Sequence, residues 1–558
     1  MQQIIKDLKE LLNDAVCKVA KENKSEIPNN FTVGLERPKQ ASHGDWASNI
    51  AMQLAKPFGT APRQIAAKII DALPQNNIVK NIEVAGPGFL NFTLNTTWIT
   101  DTVQTAIEKG ENYGRTNDGE SRKIQVEFVS ANPTGPLHLG HGRGAAVGDI
   151  TASILDFAGW NVEREFYVND AGLQIELLGE SARARYFEVI GRGDEAPIPE
   201  DGYHGEYMED IAKRLVEKYG KALADKPKEE ALKIFSEETV KMVLEMIKKD
   251  LGDFGVNFDV WFSEKTLYTN NLIEPAMEAL KSGDFAYEQD GALWFKSTLF
   301  GDDKDRVLIR QNGVPTYFTS DVAYLNNKFE RKFEKLIYVW GADHHGYVPR
   351  IKSANKAFGN KEDSLEVLLI QMVNLLRDGK PVQMSKRAGT IITLREIIDE
   401  VGVDATRFFF VMRRCDSTLD FDLELAKKAT SENPVFYVQY AYARICSIYR
   451  ELSERNIAMP ETTDFDVSVL TSPLETALAR EISRFPEEIS KAAEELAPHQ
   501  IAYYATDLAE AFHAFYNTER VLGMEESIMK TRLLLIEAAR ITLGNVLKIL
   551  GVSAPEKM

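Results

Sequence analysis

The sequence predicts a multidomain α/β protein: a central parallel-sheet domain with a helical insertion, an N-terminal α+β domain and a C-terminal all-α bundle. Three observations carry this. A chain of 558 residues exceeds what one hydrophobic core organises, so two to four domains are expected. Between residues 123 and 168 a strand, a glycine-bearing loop, a helix and a second strand follow at the length of a βαβ unit, which implies parallel strands and right-handed crossovers. From Val403 onward nearly all of the chain reads as helix.

Residues 1–115 form the first unit. MQQIIKDLKELLNDAVCKVAKENK is an amphipathic helix with acids throughout, unlike a signal or transit peptide. The β-like pieces NFTVGLER and GFLNFTLN flank SHGDWASNIAMQLAKPFGTAPRQIAAKIIDAL, whose apolar spacing is helical, and the unit closes at ENYGRTNDGESRK. The central domain spans 120–402. KIQVEFV (123–129) is its first strand; a helix opens near His138 and stops at Gly159; NVEREFYV is the second strand. A charged helical insertion occupies about 172–254, after which FDVWFSE, ALWF, RVLIR, KLIYVWG and LEVLLIQMV return to strand character. The helical bundle covers 403–558, with no internal repeat and no low-complexity segment in the chain.

Composition is that of a soluble globular protein, with 44% hydrophobic and 27% charged residues, and no apolar run reaches membrane-spanning length. Cys17, Cys415 and Cys446 form no C-x-x-C pair and read as buried free thiols of a reducing, cytoplasmic environment. The net charge of −18 excludes no nucleic-acid partner, because phosphate binding needs a local basic surface and not a basic total.

The chemistry begins at PTGPLHLGHGRGAAVGDI, residues 133–150. Gly140, Gly142 and Ala145 fit a dinucleotide fingerprint, with Glu163 or Glu165 at the ribose-acid spacing, but SANPTGPLHL separates the strand from the first glycine, where the fingerprint has them adjacent. His138 and His141 lack a third metal ligand at suitable spacing, and adjacent His344 and His345 do not easily chelate one ion; no metal site and no zinc are expected. A third reading uses more of the letters. A helix start gathers unpaired N–H groups and partial positive charge, imidazoles there donate to phosphate, and glycines at 140, 142 and 144 leave room for an adenosine.

His-x-Gly-His in this setting resembles the first signature of class I aminoacyl-tRNA synthetases. QMSKR (383–387) resembles their second, a lysine-bearing loop over the ATP phosphates; Gln383 stands where the family has lysine, while Lys386 is present. VEFVSANPTGPLHLGHGRGAAVGD, VPTYFTSDVAY (314–324), RCDSTLDFDLELAKKATSENPVFYVQYAYARI and GDWASNIAMQLAKPF resemble arginyl-tRNA synthetases in particular, so the resemblance covers almost the whole chain. It implies a Rossmann-like catalytic domain, an N-terminal domain touching the tRNA corner, an anticodon-binding bundle, and a monomer with arginine tRNA, ATP and L-arginine as partners and no membrane association.

The implied ATP contacts are His138, Gly140, His141, Gly142, His344, Met384 and Lys386, with Mg²⁺ on the phosphates; His138, His141 and Lys386 stabilise charge in phosphoryl transfer. His344 and His345 remain open between nucleotide contact and structural roles. A guanidinium calls for carboxylates and in-plane acceptors. Asp321 and Tyr317, at i and i+4, supply a carboxylate and a ring wall by resemblance, and Glu264 is a second acid. Ser130 and Asn132, after the first strand, are placed for the substrate's α-amino and carboxylate groups, with Glu127 facing the pocket and Asp343 matching an α-amino contact. Glu127, Glu264 and Asp343 also admit a surface or structural reading. Tyr437, Gln439, Tyr440, Tyr442 and Arg444 offer rings and charge for stacking on tRNA bases, or else form bundle core. The resulting expectation is an arginine–tRNA ligase working through arginyl-adenylate; another class I synthetase is the alternative.

Overall fold

The computed structural model describes residues 2–38, 40, 43–382 and 392–558; Met384, Lys386 and the rest of QMSKR lie outside the described residues. Five parallel strands form the central sheet: β1 (Lys123–Glu127), β2 (Asn161–Val168), β3 (Val260–Ser263), β4 (Lys335–Gly341) and β5 (Leu365–Ile370), in spatial order β5-β4-β1-β2-β3. Strand order reverses between β1 and β4. Loops leaving the carboxyl ends of these two strands therefore diverge and open a crevice, the place where such sheets bind ligands.

Helix α1 (Leu139–Phe157) follows β1 and is buried along nearly its whole length. Phe128 packs on it so closely that a Cβ at Gly148 would lie 2.2 Å from the phenyl ring. The expected insertion is an enlarged crossover between β2 and β3, built of α2 (Leu173–Val189), α3 (Tyr207–Tyr219) and α4 (Lys228–Asp253). A small antiparallel sheet (Ala286–Gln289, Ala292–Phe295, Arg306–Ile309) precedes α5 (Tyr317–Glu330). Successive β1 side chains point to opposite sheet faces; Phe128 thus meets α1 while Glu127 meets α5 through Lys328.

The C-terminal region contains α6 (Val403–Val411), α7 (Pro434–Glu454), α8 (Pro473–Glu494), α9 (His499–Thr518) and α10 (Glu526–Leu550). The N-terminal region departs from expectation. Residues 43–72 are not one helical run: Trp46–Ser48 is a strand paired with Leu90–Phe92, and helices occupy Ile50–Ala55 and Pro62–Ala72. The helical spacing was overridden by an antiparallel ladder, in which NFTVGLER contributes a single bridge, Glu36 to Ala47. Val79–Ala85 is a further strand. Cys446 is buried and Cys415 intermediate, but Cys17 is exposed on the wet face of the first helix, correcting the expectation of three buried thiols.

The regions are joined by guanidinium groups. Arg37 lies 4.6 Å over the Trp46 ring and bonds Glu487 on α8, and Arg480 on α8 bonds Asp45 at 2.8 Å. Arg407 on α6 is 0% exposed; it donates to the Asp149 carboxylate of α1 (2.6 Å), to the Phe254 carbonyl past α4 (3.1 Å) and to the Leu550 carbonyl ending α10 (3.0 Å). Helix α6 also packs directly on α1, so the helical region starts inside the catalytic core rather than beside it. Losing the Arg407 guanidinium leaves Asp149 with Arg164 as its remaining cation and unpairs the Phe254 and Leu550 carbonyls, so Arg407→Met is expected to cost roughly 3 kcal/mol, and Asp149→Asn, which unpairs both the Arg407 and Arg164 guanidiniums, about as much. Thermal midpoints of the two variants check this; an unshifted midpoint for Arg407→Met would deny the junction any net stabilisation.

Candidate active site

The crevice wall begins with a strained turn. β1 ends at Glu127, two residues earlier than predicted, because Val129 (φ 68°) and Ser130 (φ 42°) adopt left-handed backbone. A β-branched residue there is a genuine outlier, costing on the order of 1–3 kcal/mol, and persists only where its surroundings hold it. Ser130 supplies that hold: its hydroxyl donates to Glu127 Oε1 (3.0 Å) and accepts from the Tyr167 N–H (3.2 Å). Beyond it Asn132 is exposed and donates to Gln174 at the start of α2 (2.7 Å).

His138 is the N-cap of α1. Its Nδ1 accepts from the Gly140 and His141 N–H groups (3.1 and 3.3 Å), while the His138 N–H donates to His141 Nδ1 (3.3 Å). The rings stack with centroids 3.7 Å apart. With both Nδ1 atoms accepting, this network assigns the neutral-ring proton to Nε2, the donor a phosphate oxygen requires. Gly140 is exposed at the helix start. Gly142 is not: a Cβ there would come 2.7 Å from Leu394 and 3.1 Å from Phe410, so its missing side chain admits close packing rather than an adenosine. At Gly144 a Cβ would meet nothing within 4 Å. Residues just downstream of QMSKR join this segment, the Leu139 N–H donating to the Ile392 carbonyl (3.2 Å) and the Leu394 N–H to the Leu137 carbonyl (2.8 Å).

The opposite wall is acidic. Asp321, on the first turns of α5, accepts from the Tyr347 hydroxyl beyond β4. Burial raises its pKa to about 7; the Tyr347 hydrogen bond opposes this and the charges of Glu264 and Glu127 add to it. Glu264, at the end of β3, is 5% exposed; burial followed by repulsion from Asp170 raises its pKa, and the neighbouring Ser320 and Tyr167 hydroxyls oppose the rise. Tyr317 is exposed at the start of α5, its hydroxyl beside the Gly172 backbone. Past β4, Asp343, His344 and His345 are exposed on a short turn; His344 lies 3.6 Å from Asp343, and His345 Nδ1 contacts the Ala342 carbonyl at 3.1 Å.

Glu127 and Glu165 are direct neighbours in the parallel register of β1 and β2, and both are buried. Two adjacent buried carboxylates demand cations. Lys328, 0% exposed, pairs with Glu127, and Arg331 grips Glu165 with both terminal nitrogens (2.6 and 3.0 Å). Burial disfavours the Glu165 charge, but Lys328, Arg331 and Tyr324 outweigh it and lower its pKa. Two sequence readings change accordingly. Glu127 has its oxygens engaged by Lys328 and Ser130, so it braces the pocket instead of lining it. Glu165 is committed inside the sheet face, where no ribose could reach it. The sequence reading missed Lys328, Arg331, Tyr347 and Gln174. A polar stripe at helical spacing (Asp321, Tyr324, Lys328, Arg331) was the available signal for the first two.

In the bundle, Arg444 lies 4.5 Å over the Tyr440 ring and 4.9 Å over Tyr516, and the Tyr437 ring is 4.6 Å from His513. Gln439 does not join this face: it is buried, its amide donating to Asp404 (2.8 Å) and the Ser553 carbonyl (2.9 Å). Tyr442 turns toward α10, accepting from Arg540 at 3.2 Å. One helix turn separates faces of opposite character, which sequence adjacency conceals. Among the described residues no group of three His, Cys, Asp or Glu side chains is placed to hold a metal.

Three family models match: the arginyl-tRNA synthetase N-terminal domain over residues 2–94, the class I (R) tRNA synthetase catalytic domain over 102–410, and the DALR anticodon-binding domain over 438–558. The arginine–tRNA ligase of Caldanaerobacter subterraneus subsp. tengcongensis is 50% identical, covering 100% of both chains. That of Bacillus subtilis is 49% identical over 99% of this chain and 98% of the relative. A Campylobacter jejuni structure described as an arginyl-tRNA synthetase superposes with a TM-score of 0.76 at 34% identity, covering 83% of this chain and 100% of that one. The Thermus thermophilus arginyl-tRNA synthetase shares the fold, with a TM-score of 0.76 at 24% identity over 99% of this chain and 100% of that one.

A carboxyl whose folded pKa, about 7, stands above an unfolded value near 4 keeps its proton longer in the folded state, so stability falls as pH rises through that window. Asp321→Asn removes this penalty. Its thermal midpoint should exceed the parent's at pH 8 and match it near pH 4; equal midpoints at pH 8 would show that Asp321 is not held protonated.

Proposed function

The chain belongs to the arginine–tRNA ligase family of class I aminoacyl-tRNA synthetases, and from that premise we propose how its residues divide the work. As a ligase of this family it couples ATP cleavage to the joining of arginine and tRNA. The observation that carries the division of labour is the pairing of opposite ends of one crevice: a histidine-capped helix start on one wall, and Asp321 and Glu264 on the other, neither in an ion pair with a described residue.

The guanidinium of arginine enters the acidic wall, meeting Asp321 and Glu264, with Tyr317 as the exposed ring over it. Binding of a cation draws the proton off Asp321, and the fixed donors Tyr347, Ser320 and Tyr167 keep both carboxylates aimed. Ser130, Asn132 and Asp343 hold the α-amino and carboxylate end. The arginine carboxylate then attacks the α-phosphate of ATP, giving arginyl-adenylate and releasing pyrophosphate; the 2′-hydroxyl of the terminal adenosine of tRNA takes the arginyl group, and AMP leaves. Positioning and charge stabilisation carry such transfers, so no enzyme nucleophile is needed. His138 and His141 donate from Nε2 to phosphate oxygens, Gly140 and His344 line the nucleotide side, and Met384 and Lys386 approach the phosphates. Mg²⁺ accompanies ATP, held chiefly by phosphate and water. Tyr437, Tyr440 and Arg444 form the base-stacking face for tRNA.

The deciding assay is ATP–pyrophosphate exchange with each amino acid, with and without matched tRNA. Arginine alone should support it; exchange with a different amino acid, or none with arginine plus tRNA, overturns the reading. Lys386→Ala should lower the exchange rate roughly 10²-fold while leaving arginine affinity nearly intact, as loss of a transition-state contact does. Because free Asp321 titrates near pH 7, the arginine KM of the parent should fall about tenfold per pH unit up to there and level off above it. A flat KM across pH 5.5–8.5 would move the guanidinium site elsewhere.

A further inference from the structure

Lys328 is a lysine with no access to solvent, seven residues after Asp321 on the same helix face, in a crevice whose task is to attract a cation. Its ammonium contacts Glu127, lies 3.7 Å from Glu165 and sits 4.3 Å from the centroids of both Tyr324 and Tyr338. Glu165 has its own guanidinium partner in Arg331 and a hydroxyl donor in Tyr324. Glu127 has none besides Lys328 among the described ion pairs. Glu127 in turn accepts from Ser130, whose left-handed turn presents Asn132 to the crevice.

We propose that Lys328 is a positioning residue for arginine recognition: its buried ammonium cancels the charge of Glu127, leaving Asp321 and Glu264 as the carboxylates that meet the guanidinium, and through Glu127 it fixes the Ser130 turn. The inference rests on the crevice being the arginine pocket. Four acids crowded near one guanidinium would hold one another's protons and neutralise themselves. With Lys328 against Glu127 and near Glu165, and Arg331 on Glu165, a braced inner pair is separated from a reactive outer pair. The aromatic walls of Tyr324 and Tyr338 favour a cation at that point and exclude water, so the site of Lys328 is a small, permanently filled counterpart of the substrate pocket above it.

The groups facing Asp321 are Glu127 from β1, Tyr167 from β2, Glu264 from β3, Tyr338 from β4 and Tyr347 from beyond β4, with Arg306 and Arg350 acting on Tyr347. Changing the Lys328–Glu127 pair alters the charge felt by Asp321 and by the neighbouring Tyr167, Tyr338 and Glu165, while the double substitution removes one charge of each sign.

The test uses the full chain with tRNA, reading arginine-dependent exchange from pH 5.5 to 9 and the pH at which the arginine KM levels off. Lys328→Met leaves Glu127 uncompensated and should move that pH upward by about one unit, with ATP KM changing less than about twofold. Glu127→Gln leaves Lys328 uncompensated and should move it downward. Glu127→Gln with Lys328→Met removes both charges and should return it to within about 0.3 units of the parent while exchange recovers. Shifts in the same direction for both single variants, no shift in either, or a double variant no closer to the parent than the singles would overturn the proposal, since a merely structural lysine gives no opposite, cancelling pH shifts. Should Lys328→Met fail to fold, Glu127→Gln and the double variant still decide: a downward shift that the second substitution abolishes supports the role, and an unshifted Glu127→Gln rejects it. A parent enzyme without arginine-dependent exchange would instead sink the functional reading itself.

Discussion

A charge removed from water must meet its opposite, and in this chain the contact between Asp149 and Arg407 is where that requirement binds the parts together. Asp149 lies on the helix that carries His138 and His141; Arg407 lies on the first helix of the C-terminal region. The same guanidinium closes the orphan carbonyls of Phe254 and Leu550, which end the enlarged crossover and the last helix. Helix ends buried without partners are costly, so this fork of donors stabilises the packing of the crossover, the His138-capped helix and the bundle together, alongside Arg143, which ties the same helix to the Gln371, Arg414 and Ser417 carbonyls.

The opposite face of the sheet applies the same rule to a different end. Inner carboxylates receive resident cations, whereas Asp321 and Glu264 are given hydroxyl donors and, among the described residues, no ion-pair partner. Hydroxyls aim a carboxylate without satisfying its charge. The cost is visible in the raised pKa values of both acids, and under the proposed function it is the cost that an incoming guanidinium would relieve. The strained Val129–Ser130 turn belongs to this arrangement, because its hold comes from Glu127 and the Tyr167 backbone rather than from its own preferences.

Much of the architecture was legible because periodicity survives translation into three dimensions. The βαβ unit, the helix opening near His138, its stop at Gly159 and the long bundle helices all rest on local patterning, and they appear within a residue or two of their predicted bounds. Trp46–Ser48 did not, since a pairing partner forty residues away overrode its helical spacing. Gly142 was read as space for a nucleotide because a glycine shows only that a side chain is missing, not which neighbour needed it to be. Gln439 and Tyr442 were grouped with Tyr440 by proximity along the chain, yet helix geometry sends them to different faces.

The sequence by itself determined the family, the order of the domains and the residue types that the reaction requires, because catalytic chemistry constrains identity and spacing, and these are what a sequence records. Tertiary structure alone decided which carboxylates are available. Glu127, Glu165, Glu264 and Asp321 are equivalent letters, and only the register of β1 against β2, the face of α5 and the placement of Lys328 and Arg331 sort them into two that are neutralised within the protein and two that have no ion-pair partner among the described residues. Charge acts through space, and its partner is chosen by distance and not by position along the chain.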